Sequence, residues 1–213
     1  MINFIPIFPL NIVVFPGENL NLHIFEPRYQ QLIVDCFKEK KPFGIPTVLA
    51  KGITDMGTLI EITEIVKIYT DGKMDITTKG LEVFTILEIV KDIPNKLYHG
   101  AIVNYPLNNK LPHPVVIKHL LQKISELHKL FHISKNFTTN NENICSYDIA
   151  HHIGLSLDDE FRLLTLLNEN QRLEFIKRHV KKTLPLVKAI EVLKEKIKLN
   201  GHFKELKGFN FEQ

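Results

Sequence analysis

Ten histidines, two cysteines and four serines are the side chains of this chain best suited to metal binding or nucleophilic chemistry. His128 and His132 stand four apart, a spacing that puts both imidazoles on one side of a helix, as in some zinc sites. A zinc site needs three or four convergent ligands, and the residue after His128 is Lys129 rather than the glutamate a hydrolytic zinc helix uses as base. Both histidines flank an apolar seam, so the pair predicts a structural position and no metal. His151 and His152 are adjacent and add no third ligand at helical spacing. Cys36 and Cys145 form neither a disulfide framework nor a CxxC pair. Cys36 falls on the apolar side of a helix candidate, which predicts an inert, buried thiol. None of Ser125, Ser134, Ser146 and Ser156 lies in a glycine-rich nucleophile turn, and Ser146 and Ser156 are placed to cap helices. No Gly-x-x-x-x-Gly-Lys-Ser/Thr loop occurs; Lys182-Thr183 lacks the glycines that let backbone amides wrap a phosphate. The inventory predicts no catalytic residue, no metal and no cofactor.

The elements that position these residues follow from hydrophobic period. Phe8 to Tyr29 reads FPLNIVVFPGENLNLHIFEPRY, with Pro9 and Pro16 each removing an amide donor. Ile12-Val13-Val14-Phe15 is a short β-branched run that predicts a strand buried on both faces. Pro16-Gly17 is a turn signal, and Leu20, Leu22 and Ile24 then alternate with Asn21, His23 and Phe25 as in a half-buried strand. Pro27 opens a helix to Lys40, with Tyr29, Leu32, Ile33, Cys36 and Phe37 on one side. Phe43 to Leu49 predicts an edge or irregular strand, because of Gly44 and Pro46. Gly57 to Tyr69 is a longer strand in which Glu64 shares the parity of Ile60, Ile62, Val66 and Ile68. Either a bulge re-phases the strand there or Glu64 points into a groove. Asp71-Gly72 marks a hairpin. Its return strand runs to Lys79-Gly80, a second segment covers Leu81 to Val90, and another strand covers about Tyr98 to Tyr105.

Composition shifts at Pro106 to Pro114, and the remainder has helical period. Ile117, Leu120, Ile124, Leu127 and Phe131 form the seam of one helix, and Ser134 to Asn143 is a polar loop. Ser146 caps a short helix ended by Gly154, and Ser156 to Asp159 has a capping-box pattern. Asn168 caps Glu169 to Leu184, and Pro185 breaks the pattern before a last helix from Leu186 to Leu199. The fold class is α+β, with a β-rich subdomain at 1–106 and an α-helical subdomain at 107–213.

Three blocks resemble the Lon protease N-terminal domain family, in the stand-alone form without ATPase and peptidase modules. They are PLNIVVFPGENLNLHIFEPRY, then GTLIEITEIVKIYTDGKMDITTKGLEVFTILEI with Gly80, Leu81, Phe84 and Ile86, and then LSLDDEFRLLTLLNENQRLEFIKRHV. The resemblance spans residues 4 to about 184 and implies a PUA-like twisted β-barrel with one early helix, followed by a helical bundle. It implies a non-catalytic protein that binds exposed apolar or unfolded polypeptide, as a recognition or adaptor module working with a separate ATPase or protease. The alternative is a PUA-like RNA-binding protein, which the absence of an aromatic-plus-basic stacking stripe disfavours. The candidate peptide-binding residues are His23, Phe25, Arg28, Tyr29, Phe43 and Glu64. A competing reading of the Glu26 to Tyr29 corner is structural, with Glu26 and Arg28 locking the turn and Tyr29 packed on the core.

With 213 residues, 44% hydrophobic and 24% charged, the chain has the composition of an ordinary globular protein. It shows no membrane-length apolar run and no signal-peptide start, so the expected location is cytoplasmic. The net charge of +3 is unevenly spread, with 11 Lys/Arg against 5 Asp/Glu from Gln171 onward. A basic tail can signal an acidic partner; interspersed Glu174, Glu191, Glu195 and Glu205 favour a solvated helix face.

Overall fold

The computed structural model describes residues 2–111, 114–131 and 144–206. Among the described residues, six strands and five helices follow in the order β1 (Ile2–Pro6), β2 (Asn19–Ile24), α1 (Pro27–Glu39), β3 (Phe43–Leu49), β4 (Gly52–Ile68), β5 (Met74–Val90), β6 (Gly100–Asn104), α2 (Pro114–Leu130), α3 (Ser146–Ala150), α4 (Leu157–Thr165) and α5 (Glu169–Leu206). By compactness the chain divides into a sheet unit, Met1–Leu111 with Cys145–Arg172, and a helical unit, Pro112–Ile144 with Leu173–Gln213. Helices α3 and α4 and the first turn of α5 belong to the sheet unit.

In the sheet unit the strands pair antiparallel in the order β1-β6-β5-β4-β3, with β2 also on β5. One side of β5 takes β4 from Met74 to Thr85, while the other takes β2 along its first part and β6 along its last. The chain beyond β1 closes the sheet: Ile7 and Leu10 bridge Gly44 and Thr47 in parallel, and the Phe8 amide donates to the Gly44 carbonyl at 2.8 Å. The result is a twisted barrel. At one end α1 buries Tyr29, Leu32, Ile33 and Cys36 against Phe43, Ile60 and neighbours. Each such side chain contributes about 1.5–3 kcal/mol of transfer free energy. Its helix is bounded by Pro27 at the start and by Lys40 in left-handed conformation at φ 53°.

Gly80 sits where β5 changes partner. Its amide donates to the Glu18 carbonyl and its carbonyl accepts from the Gly17 amide, both at 2.8 Å. A Cβ at this position would run into the Phe15 carbonyl oxygen. Only glycine lets the 15–18 turn lie that close to the strand.

Several expectations are corrected. Ile12 to Phe15 is no strand, though Val13, Val14 and Phe15 are buried. Thr58 Oγ1 donates to the Val14 carbonyl, and the Phe15 amide donates to the Glu18 carboxylate at 2.8 Å, so side chains satisfy backbone groups that a ladder would otherwise serve. The segments on either side of Gly80 form one strand of 17 residues. Ser146 is the first residue of α3 behind Cys145, and its hydroxyl donates to Glu169 at 2.6 Å instead of capping. Ser156 does cap α4, accepting from the Asp159 amide at 3.2 Å. Pro185 lies inside α5 without ending it.

Helices α3 and α4 and the first turn of α5 are tied to the sheet unit by two polar clusters. Arg172 is completely buried; its guanidinium donates to Glu169 at 2.8 Å, Asn108 at 2.9 Å, and the Leu166 and Asn109 carbonyls at 2.6 Å. Its plane stands 4.2 Å from the Tyr147 ring centroid. In the second cluster, His151 bridges Glu160 at 2.7 Å and Glu18 at 3.1 Å, with its ring 4.7 Å from that of Phe15. In the helical unit, α2 buries Ile117, Leu120, Ile124 and Leu127, and α5 buries Leu173, Ile176 and Val180. Lys188 of α5 pairs with Glu126 of α2 at 2.5 Å.

Candidate functional site

The expected site residues separate into two groups. Phe43 is completely buried and Tyr29 nearly so, with the Tyr29 ring tilted against that of Phe8 at 3.9 Å between centroids. These two therefore belong to the core under α1, where a surface peptide cannot reach them; the placement corrects their selection. Arg28 pairs with Glu26 at 2.8 Å at the entry to α1 and lies 4.5 Å over the Tyr29 ring. The location of His132 falls outside the described residues, while its helical neighbour His128 is buried.

His23, Phe25 and Glu64 reach one surface, the outer face of β2, β5 and the far half of β4. Period-two alternation puts Leu20, Leu22 and Ile24 inward, leaving Asn21 and His23 outward in line with Asp75 and Thr77. Glu64 stands opposite Thr77 in register, just after a bulge between Ile62 and Glu64. The bulge resolves the parity conflict at Glu64 and turns it to the outer face.

Asp75 organises this face. His23 Nδ1 lies 2.6 Å from one carboxylate oxygen, and the Tyr69 hydroxyl donates to the other at 2.7 Å. A carboxylate only accepts, so Nδ1 carries the imidazole proton. Hydrogen bonds from His23 and then Tyr69 hold the Asp75 carboxyl below its ordinary range, and the same bond raises the Tyr69 phenol. Lys67 sits 4.3 Å over the Tyr69 ring, which leans edge-on to His23 at 5.9 Å; Phe25 lies near-parallel to His23 at 6.3 Å. Beside this cluster runs a shallow groove of ≈ 430 Å³ between Asn21, His23, Val66, Asp75 and Thr77. Val66, which lines it, and Phe25, beside His23, are each more than half exposed, at 57% and 59%.

Strand edges border the same face. Pairing of β4 with β3 ends at Ile60 opposite Phe43; among the described residues the edge from Glu61 to Ile68 is left open, and β2 pairs with β5 alone. A second groove of ≈ 340 Å³ runs from Phe37, Lys40 and Pro42 to Glu61, Ile62 and Leu81. Cys36 lines it, but burial, with Asp35 and Glu39 nearby, pushes its thiol up to about 12, so it is no nucleophile at neutral pH. Among the described residues no three His, Cys, Asp or Glu side chains converge as metal ligands. What the face offers is aromatic surface, mixed charge and unpaired backbone, which are the means of holding an extended chain.

Sequence reasoning missed Tyr69, Asp75, Lys67 and Val66. The Asp71-Gly72 turn marks the hairpin, yet nothing in the sequence announces that β2 pairs with β5 and brings His23 beside Asp75.

Comparison with known proteins agrees with this architecture. No curated protein sequence matches the chain. A crystal structure of a Lon N-terminal domain protein from Xanthomonas campestris aligns with TM-score 0.60 at 23% identity, covering 81% of this chain and 95% of that one. The N-terminal domain of Mycobacterium avium complex Lon protease aligns with TM-score 0.63 at 14% identity, covering 84% and 98%. At these identities the likeness establishes the fold. The family model of the ATP-dependent protease La (LON) substrate-binding domain matches residues 5–182, most of the chain, and this protein therefore belongs to that family.

Proposed function

We propose that this protein is a non-catalytic module that binds exposed apolar or unfolded polypeptide, and that it serves as a recognition or adaptor unit for ATP-dependent proteolysis. Family membership supports the class of ligand. The observation that carries the location is the outer face of β2, β5 and β4, where Phe25 and Val66 stand exposed beside open strand edges. An extended segment adds to the open edge through its backbone, and its alternate side chains cover Phe25 and Val66. His23 and Glu64 flank that path and supply polar contacts. The bulges in β4 twist this edge away from flat pairing, which suits transient capture over aggregation.

The test is fluorescence anisotropy with a labelled reduced, carboxymethylated protein and with the same protein in native form. The unfolded form binds and the native form does not. The double variant Phe25→Ser, Val66→Ser weakens binding about tenfold or more, as loss of interface anchors does, with an unchanged melting temperature because both residues are exposed. Equal and negligible binding of both forms overturns the function. Intact binding by the double variant overturns the location. Salt-dependent binding of single-stranded RNA, in place of polypeptide, would favour the nucleic-acid alternative.

A further inference from the structure

Helix α5 carries an apolar seam in its far part. Leu186, Ile190, Leu193 and Ile197 follow at steps of four, three and four, and are 57%, 52%, 57% and 61% exposed. At 3.6 residues per turn these four fall within an arc of roughly 60°. The steps are those of alternating core positions of a coiled coil. The next apolar residue on that side, Val187, is buried, so the seam runs beside the face that α5 uses for its own core.

Charges on this part of the helix are segregated around the seam. Lys182 and Lys196 border one side and Lys194 the other, while Glu195 projects from the opposite face and Glu191 lies beyond Lys194, on the side that α5 turns to its own core. Lys188, also at the back, is taken by Glu126. Lys194 reaches Glu191 only at 3.4 Å, along the helix rather than across the seam. The glutamates interspersed in the sequence are therefore not interspersed around the apolar stripe.

From this arrangement we infer that the far part of α5 is a docking surface for an amphipathic helix with acidic flanks. Apolar core positions on such a helix interdigitate with Leu186, Ile190, Leu193 and Ile197, and its carboxylates meet Lys182, Lys194 and Lys196. A second copy of this chain would bring the same basic flanks, so it lacks the complementary charge. A lipid surface is disfavoured by the narrowness of the stripe, since helices lying in membranes present a wider apolar face, commonly with aromatic residues.

The full chain is titrated against two labelled synthetic four-heptad peptides with Ile and Leu at core positions, one with Glu and one with Lys at the flanking positions. The acidic peptide binds at least tenfold more tightly, and its advantage shrinks with added salt. Ile190→Asp with Leu193→Asp abolishes binding without lowering the melting temperature. Lys194→Glu with Lys196→Glu reverses the preference toward the basic peptide. Equal affinity for both peptides overturns the inference. So does binding to anionic vesicles lost in the same variants, or a sedimenting dimer of the wild-type chain that the Ile190→Asp, Leu193→Asp variant dissolves.

Discussion

Arg172 is completely buried and ion-paired with Glu169, and its guanidinium also donates to Ser146, Asn108 and the Leu166 and Asn109 carbonyls. A buried pair of this kind is weak evidence of net stability, but breaking it is costly because one charge stays behind uncompensated. Arg172→Ala therefore lowers unfolding free energy by about 3–5 kcal/mol, read by urea denaturation. The paired replacement Glu169→Leu, Arg172→Met costs clearly less, since no charge remains buried. His151 gives a prediction in pH. Partial burial works to lower its pKa, but the hydrogen bonds it donates to Glu160 and Glu18, with their charges, outweigh this and raise it to about 9 from 6.5. A folded-state pKa above the unfolded value means that the contribution is complete below about pH 6.5 and is lost as pH rises through about 9. Thermal melts between pH 6 and 10 show that decline, and His151→Ala removes the part of it that belongs to this residue.

Among the elements, β5 depends on Gly80. Gly80→Ala places a methyl against the Phe15 carbonyl, which must move or push the 15–18 turn away. The cost expected is about 1–3 kcal/mol, as for overpacking in a tight core, measured by denaturant titration; Gly17, whose side has open space, is left as wild type. Helix α5 makes the converse point. Pro185 removes one hydrogen bond within a helix and costs about 3 kcal/mol there, so Pro185→Ala slows amide exchange around residues 181–190. The elements were legible wherever period alone decides them: the alternation of β2, the apolar side of α1 and the seam of α2 are all readable locally. Two kinds of feature were not. Ile12 to Phe15 has strand composition but its backbone is satisfied by Thr58 and Glu18, partners dozens of residues away or bonded through a side chain. Asp75 enters the candidate site only through strand register, which is set by the closed sheet and not by any local pattern. Phe43, chosen as a site residue, shows the same limit, because an aromatic in a strand does not disclose which face is covered.

For the molecule as a whole, the division into units makes the sheet unit discontinuous in sequence. Phe15 packs on Tyr147 and His151, and Arg172 is bound by Asn108 and Asn109. A fragment ending at 106 lacks all of these partners and exposes Phe15. It aggregates or fails to give a cooperative melt, whereas residues 1–111 joined by a short glycine–serine linker to 145–172 fold with one. Circular dichroism and sedimentation distinguish the outcomes. The same threading sets an order in time. During synthesis every strand has left the ribosome long before Arg172 does, and at about 5–20 residues per second that interval lasts seconds. For those seconds the barrel waits with the Phe15 side uncovered, while residues 112–144 emerge between its two parts. Slow codons or a bound chaperone before residue 172 would prolong a half-closed intermediate, so nascent-chain protease protection of the strands should rise sharply only once the Arg172 cluster is complete.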